Sequence, residues 1–155
     1  MNSYRPAISG TRHMVVAGHY LASHAGFEML ETGGNAVDAG VSAGLALGVL
    51  QSDLVNVAGV APMMIYHAES EKVVNISGLG AWPKRTDPKM FEEEYSGSIP
   101  ENILRTVIPA APDAWITALE LYGTKTFSEV AAAAIRFASE GFTICLLYTS
   151  PSPRD

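Results

Sequence analysis

Between residues 19 and 32 the apolar positions recur at helical spacing: Leu21, Ala25 and Met29 share one side, Ala22 and Leu30 lie one position round, and Glu28 and Glu31 fall outside. Gly33-Gly34 ends this pattern, because a glycine just past the last periodic residue takes up the left-handed C-cap conformation at no steric cost. Asn35 then reads as the N-cap of a second helix over residues 36–50. Asp38 falls in its first turn, where a carboxylate favours the positive end of the helix dipole. Val37, Val41, Leu45, Leu47 and Val49 are the positions that bury this helix. Gly40, Gly44 and Gly48 recur at every fourth position along it. Each costs about 1 kcal/mol against alanine, so the stripe is expected to let another element approach closely.

Further along, the period changes from helical to alternating. Residues 61–67 and 72–77 are β-rich runs separated by the polar Ala68-Glu69-Ser70-Glu71, which predicts an antiparallel hairpin with an exposed loop. Asp87-Pro88 predicts a short helical turn toward Phe91, with Asp87 as cap and Pro88 where its missing N–H costs nothing. Glu92-Glu93-Glu94 reads as a solvated face. Pro112 opens a helix through Tyr122 that is expected to bury Trp115, Ile116 and Leu119 and to close at Gly123; a last helix covers residues 128–140 and ends at Gly141. Helices flanking a hairpin, with no internal repeat and no break in composition before Ile144, predict an α+β fold in one piece.

Composition narrows the function classes. The 155 residues are 48% hydrophobic and 17% charged, enough for a real core. Ten Lys and Arg against sixteen Asp and Glu give a net charge of -6, which removes the electrostatic footprint that nucleic-acid or anionic-membrane binding needs, so neither partner is expected. A single cysteine excludes a disulfide framework and a cysteine-based zinc site. The long apolar stretch of residues 36–50 is too short to span a bilayer and carries Asp38. Met1-Asn2-Ser3-Tyr4-Arg5-Pro6 lacks the basic start and apolar run of a secretory signal, so a cytoplasmic location is expected. The tail, Cys145-Leu146-Leu147-Tyr148-Thr149-Ser150-Pro151-Ser152-Pro153-Arg154-Asp155, reads as the translation of a transposase sequencing adapter. On that reading residues 1–144 are the biological sequence, residues 145–155 are non-native, and the gene is truncated from a longer parent.

The residues themselves disclose no reaction. His13, His19, His24 and His67 form no H-E-x-x-H and no i, i+4 pair, so no metal site is expected. Gly33-Gly34 and Gly78-Leu79-Gly80 lack the Gly-Lys-Ser/Thr that follows a phosphate loop, and Pro83 occupies the third-glycine position after Gly80; turn and cap roles account for these glycines. No G-x-S-x-G elbow is present, and no cofactor is expected.

One stretch does carry a resemblance. Met14-Val15-Val16-Ala17-Gly18-His19-Tyr20-Leu21-Ala22-Ser23, followed by Ala25-Gly26-Phe27-Glu28-Met29-Leu30-Glu31-Thr32-Gly33-Gly34-Asn35-Ala36-Val37-Asp38-Ala39, resembles the N-terminal signature of the γ-glutamyltransferase (γ-glutamyltranspeptidase) family, whose specific core is G-G-N-A-x-D-A. Met63-Met64-Ile65-Tyr66, Pro83, Met90-Phe91, Ile108-Pro109, Tyr122-Gly123 and the stretch from Ala134-Ile135 to Ala138-Ser139-Glu140-Gly141-Phe142 agree with later parts of the family pattern. The resemblance runs from Tyr4 to Ile144. It implies the N-terminal part of the large subunit of an N-terminal-nucleophile (Ntn) hydrolase, a four-layer αββα sandwich whose precursor cuts itself into two subunits. In that family a threonine freed at the small subunit's N-terminus attacks a γ-glutamyl amide such as glutathione, using its own α-amine as base, and the acyl group passes to water or to an amino-acid or peptide acceptor. That threonine lies beyond Ile144, so no catalytic residue is assigned here. The implied partners are a small-molecule amide or peptide substrate and the remaining part of the same precursor. A piece of such a sandwich is expected to leave apolar faces uncovered.

Two departures qualify what carries over. The family's glycine-rich run after the second helix reads Val57-Ala58-Gly59-Val60-Ala61, with one glycine where several are usual. Where members read x-G-R-E-x-A-P, this chain reads Ser77-Gly78-Leu79-Gly80-Ala81-Trp82-Pro83, placing Leu79 where an arginine would grip the substrate α-carboxylate. Leucine cannot make that charged fork. Gly78, Leu79 and Gly80 are therefore the candidate substrate-binding residues. Either the acyl group differs, as in an acylase, or a nearby cation such as Lys84 or Arg85 replaces the arginine. A non-catalytic relative kept as a binding or structural protein is the alternative in another class.

Overall fold

The structure, a computed structural model, describes residues 7–144; the expectations that fall on residues 1–6 and on the tail 145–155 lie outside the described residues. The elements in order are α1 (Tyr20–Glu31), α2 (Ala36–Leu50), β1 (Met63–His67), β2 (Lys72–Ile76), α3 (Pro88–Tyr95), a 3-10 turn (Ile103–Arg105), α4 (Ala111–Tyr122) and α5 (Phe127–Glu140). This mixture of helix and strand agrees with the α+β expectation, and among the described residues the one sheet is two-stranded. The described residues divide into two compact units, 7–56 with 121–144 and 57–120.

In the first unit α1 and α2 form a helical corner whose chemistry is local. Gly33 sits at φ 86°, and the N–H groups of Gly33 and Gly34 donate to the carbonyls of Leu30 and Met29 at 3.3 and 2.8 Å, closing α1. Asn35 accepts from the N–H groups of Val37 and Asp38, while the Asp38 carboxylate accepts from the Asn35 N–H at 2.8 Å, a reciprocal cap at the start of α2. The core joins Ala22 and Ala25 of α1, Ala46 and Leu50 of α2, and Ala133 and Phe137 of α5. Small side chains on the facing surfaces let the helix backbones come close. The tightest approach is at Gly26, where a Cβ would stand 2.8 Å from the Ala39 carbonyl and 2.9 Å from Val15 Cγ1.

The glycine stripe of α2 departs from its expectation at one of its three positions, Gly40. Gly40 is exposed, with nothing within 4 Å of where its Cβ would be, so it admits no close neighbour among the described residues. The close contact between α1 and α2 is made from the α1 side, by Gly26, because α2 presents Ala39, Ala43 and Ala46 rather than Gly40 on its buried surface.

Asp38 does far more than complement a dipole. It is fully buried. Besides the Asn35 N–H, its oxygens accept from the Thr124 N–H (3.0 and 3.2 Å), the Thr124 hydroxyl (2.7 Å) and the Lys125 N–H (3.1 Å), all in the turn between α4 and α5. Two further bonds span the same junction: Asn35 Nδ2 donates to the Tyr122 carbonyl at 2.6 Å, and Lys125 Nζ donates to the Thr32 carbonyl at 2.8 Å. Burial alone would raise the Asp38 pKa, but the donors from Asn35, Thr124 and Lys125 outweigh it and hold the carboxyl below its ordinary value of 3.8. By contrast, the Ser42 hydroxyl on the same helix is buried and has no hydrogen-bond partner among the described residues.

In the second unit β1 and β2 pair antiparallel, Met63 opposite Ile76 through His67 opposite Lys72, as the alternating pattern predicts. Asp87 caps α3 by accepting from the Lys89 N–H at 3.0 Å, with Pro88 at the first helical position; the helix runs on past Phe91 to Tyr95 and leaves the three glutamates exposed. α4 buries Trp115 and Leu119, but Ile116 is 43% exposed, a second correction: helical spacing gives the side of the helix, and Ile116 lies at the margin of a surface filled by Ala111, Ala114, Trp115, Ala118 and Leu119.

Three outcomes follow for stability. Asp38→Asn keeps the shape but turns an acceptor into a donor facing Thr124 or Lys125, so denaturant unfolding should show a loss of about 3 kcal/mol. The Asp38 contribution is complete above its ordinary value of 3.8 and falls away as pH drops through the lower folded-state value, so the variant should lose this acid dependence. Ser42→Ala removes an unpaired buried hydroxyl from a helix and should raise stability by about 0.5 to 1 kcal/mol in the same measurement.

Candidate functional site

Gly78, Leu79 and Gly80 follow β2 after Ser77 and form one irregular loop in the second unit. Gly78 has φ 53° and Gly80 has φ 82°, both in the left-handed region. The Gly78 carbonyl accepts from the Ala61 N–H at 2.9 Å, which continues the hairpin pairing beyond the regular strands. A Cβ on Gly78 would fall on the Ala61 carbonyl and within 3.0 Å of Ala114 Cβ, and one on Gly80 would fall on the Ile108 carbonyl. Both glycines are therefore required on two counts, conformation and space. On the far side Ala81 and Ile108 form an isolated antiparallel bridge, with the Ile108 N–H donating to the Ala81 carbonyl at 2.8 Å. The departed glycine-rich run also has a structural role, since the Gly59 carbonyl accepts from the Ala111 N–H at the start of α4 at 3.2 Å.

Between these anchors Leu79 projects outward, with 52% of its surface exposed. Its hydrocarbon offers contact with an apolar group and no charge for a carboxylate. Trp82 stacks on Phe91 with ring centroids 5.1 Å apart, and Tyr95 lies 6.3 Å from Phe91. Sequence reading does not anticipate this aromatic group, because the signal is one tryptophan and a capped short helix that folding brings together. Lys84 and Arg85 are the middle residues of a turn closed by the Thr86 N–H on the Pro83 carbonyl at 2.8 Å, and both are exposed.

The histidines take local roles. His19 accepts from the Leu21 N–H through Nδ1 at the start of α1. His13 Nε2 lies 2.9 Å from Glu31, His24 pairs with Glu28 one turn on at 3.3 Å, and His67 Nδ1 lies 2.9 Å from the Ser70 hydroxyl. Among the described residues no group of His, Cys, Asp or Glu is arranged to hold a metal ion, and no helix is long and apolar enough to cross a membrane.

The glycines and the exposed Leu79 between them separate under mutation. Gly80→Ala places a Cβ on the Ile108 carbonyl at a left-handed φ and should cost at least about 2 kcal/mol in chemical denaturation, whereas Leu79→Ala should cost under about 1 kcal/mol.

Comparison with known proteins gives this geometry its context. A family model described as Gamma-glutamyltranspeptidase matches residues 22–148. The chain is 32% identical over 142 residues to the glutathione hydrolase-like YwrD proenzyme of Bacillus subtilis (strain 168), covering 89% of this chain and 26% of that protein. It is 34% identical over 150 residues to the acylase ACY 1 proenzyme of Pseudomonas sp. (strain SE83), covering 90% and 26%. The chain thus spans about a quarter of the length of these curated relatives. It superposes on the crystal structure of the Helicobacter pylori γ-glutamyltranspeptidase with a TM-score of 0.78 and 28% identity, covering 88% of this chain and 40% of that one. The capped glycine corner, the hairpin and the helices that follow are thus those of one family, and the chain belongs to the γ-glutamyltranspeptidases.

Proposed function

We propose that this chain is the N-terminal part of the large subunit of an amide-cleaving, acyl-transferring Ntn hydrolase, a four-layer αββα sandwich made as a self-cleaving precursor. In the complete enzyme a threonine at the N-terminus of the small subunit attacks the amide carbonyl. Its α-amine takes the hydroxyl proton, and the amine leaving group departs with a proton. Water or an amine acceptor then releases the acyl group from the ester. The nucleophile comes from the remaining part of the precursor, so this chain alone is inactive. What this chain contributes is the turn Gly78-Leu79-Gly80, held as an acyl-group contact.

The observation that carries the reading of specificity is Leu79, exposed at the tip of a turn whose two glycines cannot be replaced. An arginine at that point would bind an α-carboxylate through a charged fork. Leucine favours an acyl group without that charge, as would suit an acylase, and the relatives include both a glutathione hydrolase-like protein and an acylase.

The test uses the full-length parent, assayed on a γ-glutamyl anilide beside an anilide lacking the α-carboxylate. The charged fork contributes about 1.5 to 3 kcal/mol, so Leu79→Arg should raise kcat/KM for the γ-glutamyl compound about ten- to a hundredfold relative to the other. A parent that already prefers the γ-glutamyl compound and gains nothing from Leu79→Arg would show that another cation serves the carboxylate.

A further inference from the structure

The loop that carries Leu79 has a second stretch of chain laid against it. Ile108 pairs with Ala81, the Ile108 carbonyl occupies the space behind Gly80, and Val107 Cγ2 lies 3.4 Å from where a Gly80 Cβ would be. Val107 and Ile108 are therefore immediate neighbours of the peptide that follows Leu79. Their position is fixed from both ends. Before them, the 3-10 turn Ile103–Arg105 is capped by Asn102, which accepts from the Leu104 N–H at 2.9 Å, and the Thr106 hydroxyl donates to the Ile103 carbonyl at 2.6 Å. After them, α4 begins at Ala111.

Both stretches have the same chemistry. Ser77-Gly78-Leu79-Gly80-Ala81-Trp82-Pro83 and Thr106-Val107-Ile108-Pro109-Ala110 hold no charged residue. Leu79, Val107 and Ile108 are 52%, 37% and 57% exposed, so three aliphatic side chains are left in solvent where the stretches meet. Arg105, the cation just before the second stretch, is already engaged: its Nε and Nη2 donate to the Ile99 carbonyl at 3.4 and 3.3 Å, and its Nη1 lies 3.3 Å from Glu101. A carboxylate brought against Leu79 would lose hydration beside hydrocarbon and gain no charged partner from these stretches. An uncharged aliphatic chain would gain about fourfold in binding for each methylene it buries there.

We infer that Val107 and Ile108 extend the acyl contact at Leu79 and that the acyl group held there is an uncharged aliphatic chain. This rests on the proposed function, in which Leu79 touches the acyl group. The occupant follows from continuity, because the apolar surface that begins at Leu79 runs on over the two residues packed beside its loop. Val107 and Ile108 supply no nucleophile, proton or charge. They set specificity, by offering contact that lengthens with the acyl chain and that a charged γ-glutamyl group cannot use.

The test compares kcat/KM of the full-length parent on acetyl, hexanoyl and γ-glutamyl anilides, which share one leaving group and differ only in the acyl part. The parent should favour hexanoyl over acetyl by at least about tenfold, and Val107→Ala and Ile108→Ala should each cut that ratio about fivefold. Val107→Lys should also cut it and should raise the γ-glutamyl compound about tenfold relative to hexanoyl, a reciprocal change that a damaged fold would not give. If Val107→Lys fails to fold, Ile108→Ala, at the more exposed position, still decides. Hexanoyl-to-acetyl ratios within about twofold of the parent's in every folded variant, in an enzyme that responds to Leu79→Arg as the proposed function requires, would overturn the inference and leave that function standing. A parent that prefers the γ-glutamyl anilide and gains nothing from Leu79→Arg would contradict the specificity assigned to Leu79 and the aliphatic class with it. A parent that cleaves none of the three anilides would contradict the proposed function and the inference together.

Discussion

A single buried carboxylate organises the first unit. Asp38 is taken wholly out of water, which an isolated charge could not survive, and it is tolerated because peptide N–H groups of Asn35, Thr124 and Lys125 and the Thr124 hydroxyl surround it. None of these donors is a cation. The charge is dispersed into backbone dipoles, so the arrangement demands that two turns far apart in sequence present their amides to one point. These bonds hold the corner between α1 and α2 against the turn between α4 and α5. Packing of α5 on α2 then follows, with Ala133 and Phe137 entering the same core as Ala46 and Leu50.

How far the sequence discloses this depends on the range of each interaction. The left-handed Gly33, the Asn35 cap and the Asp87-Pro88 start of α3 are chemistry within a few residues, and all three can be read from residue type and order. The hairpin register is likewise set by alternation over adjacent runs. Asp38 shows only half its role in this way. Its dipole and capping positions are local, but its bonds to Thr124 and Lys125 cross 86 and 87 residues, and nothing in the local pattern marks Thr124 as a partner. The same limit applies to the glycines. The repeat of Gly40, Gly44 and Gly48 suggests a close approach, and at Gly40 none is made among the described residues, because which side of a helix meets a neighbour is settled by the neighbour.

The candidate site is legible in a different manner. Composition and spacing mark Gly78 and Gly80 only as turn glycines; their positive φ values and the carbonyls of Ala61 and Ile108 behind them explain why no other residue fits. Leu79 acquires meaning only from resemblance to the family, since an exposed leucine on a loop is ordinary on any surface. The two glycines are fixed by conformation and space while Leu79 between them is exposed, so the residue at that position can change without disturbing the backbone around it.

The dependence of the first unit on Asp38 is tested most directly by a double-mutant cycle between Asp38→Asn and Thr124→Val, read by denaturant unfolding. If the carboxylate and the turn between α4 and α5 act as one unit, the double variant should be more stable than the sum of the single losses predicts, by at least about 1 kcal/mol. Losses that add to within about 0.5 kcal/mol would show that the two groups act independently and would contradict the account.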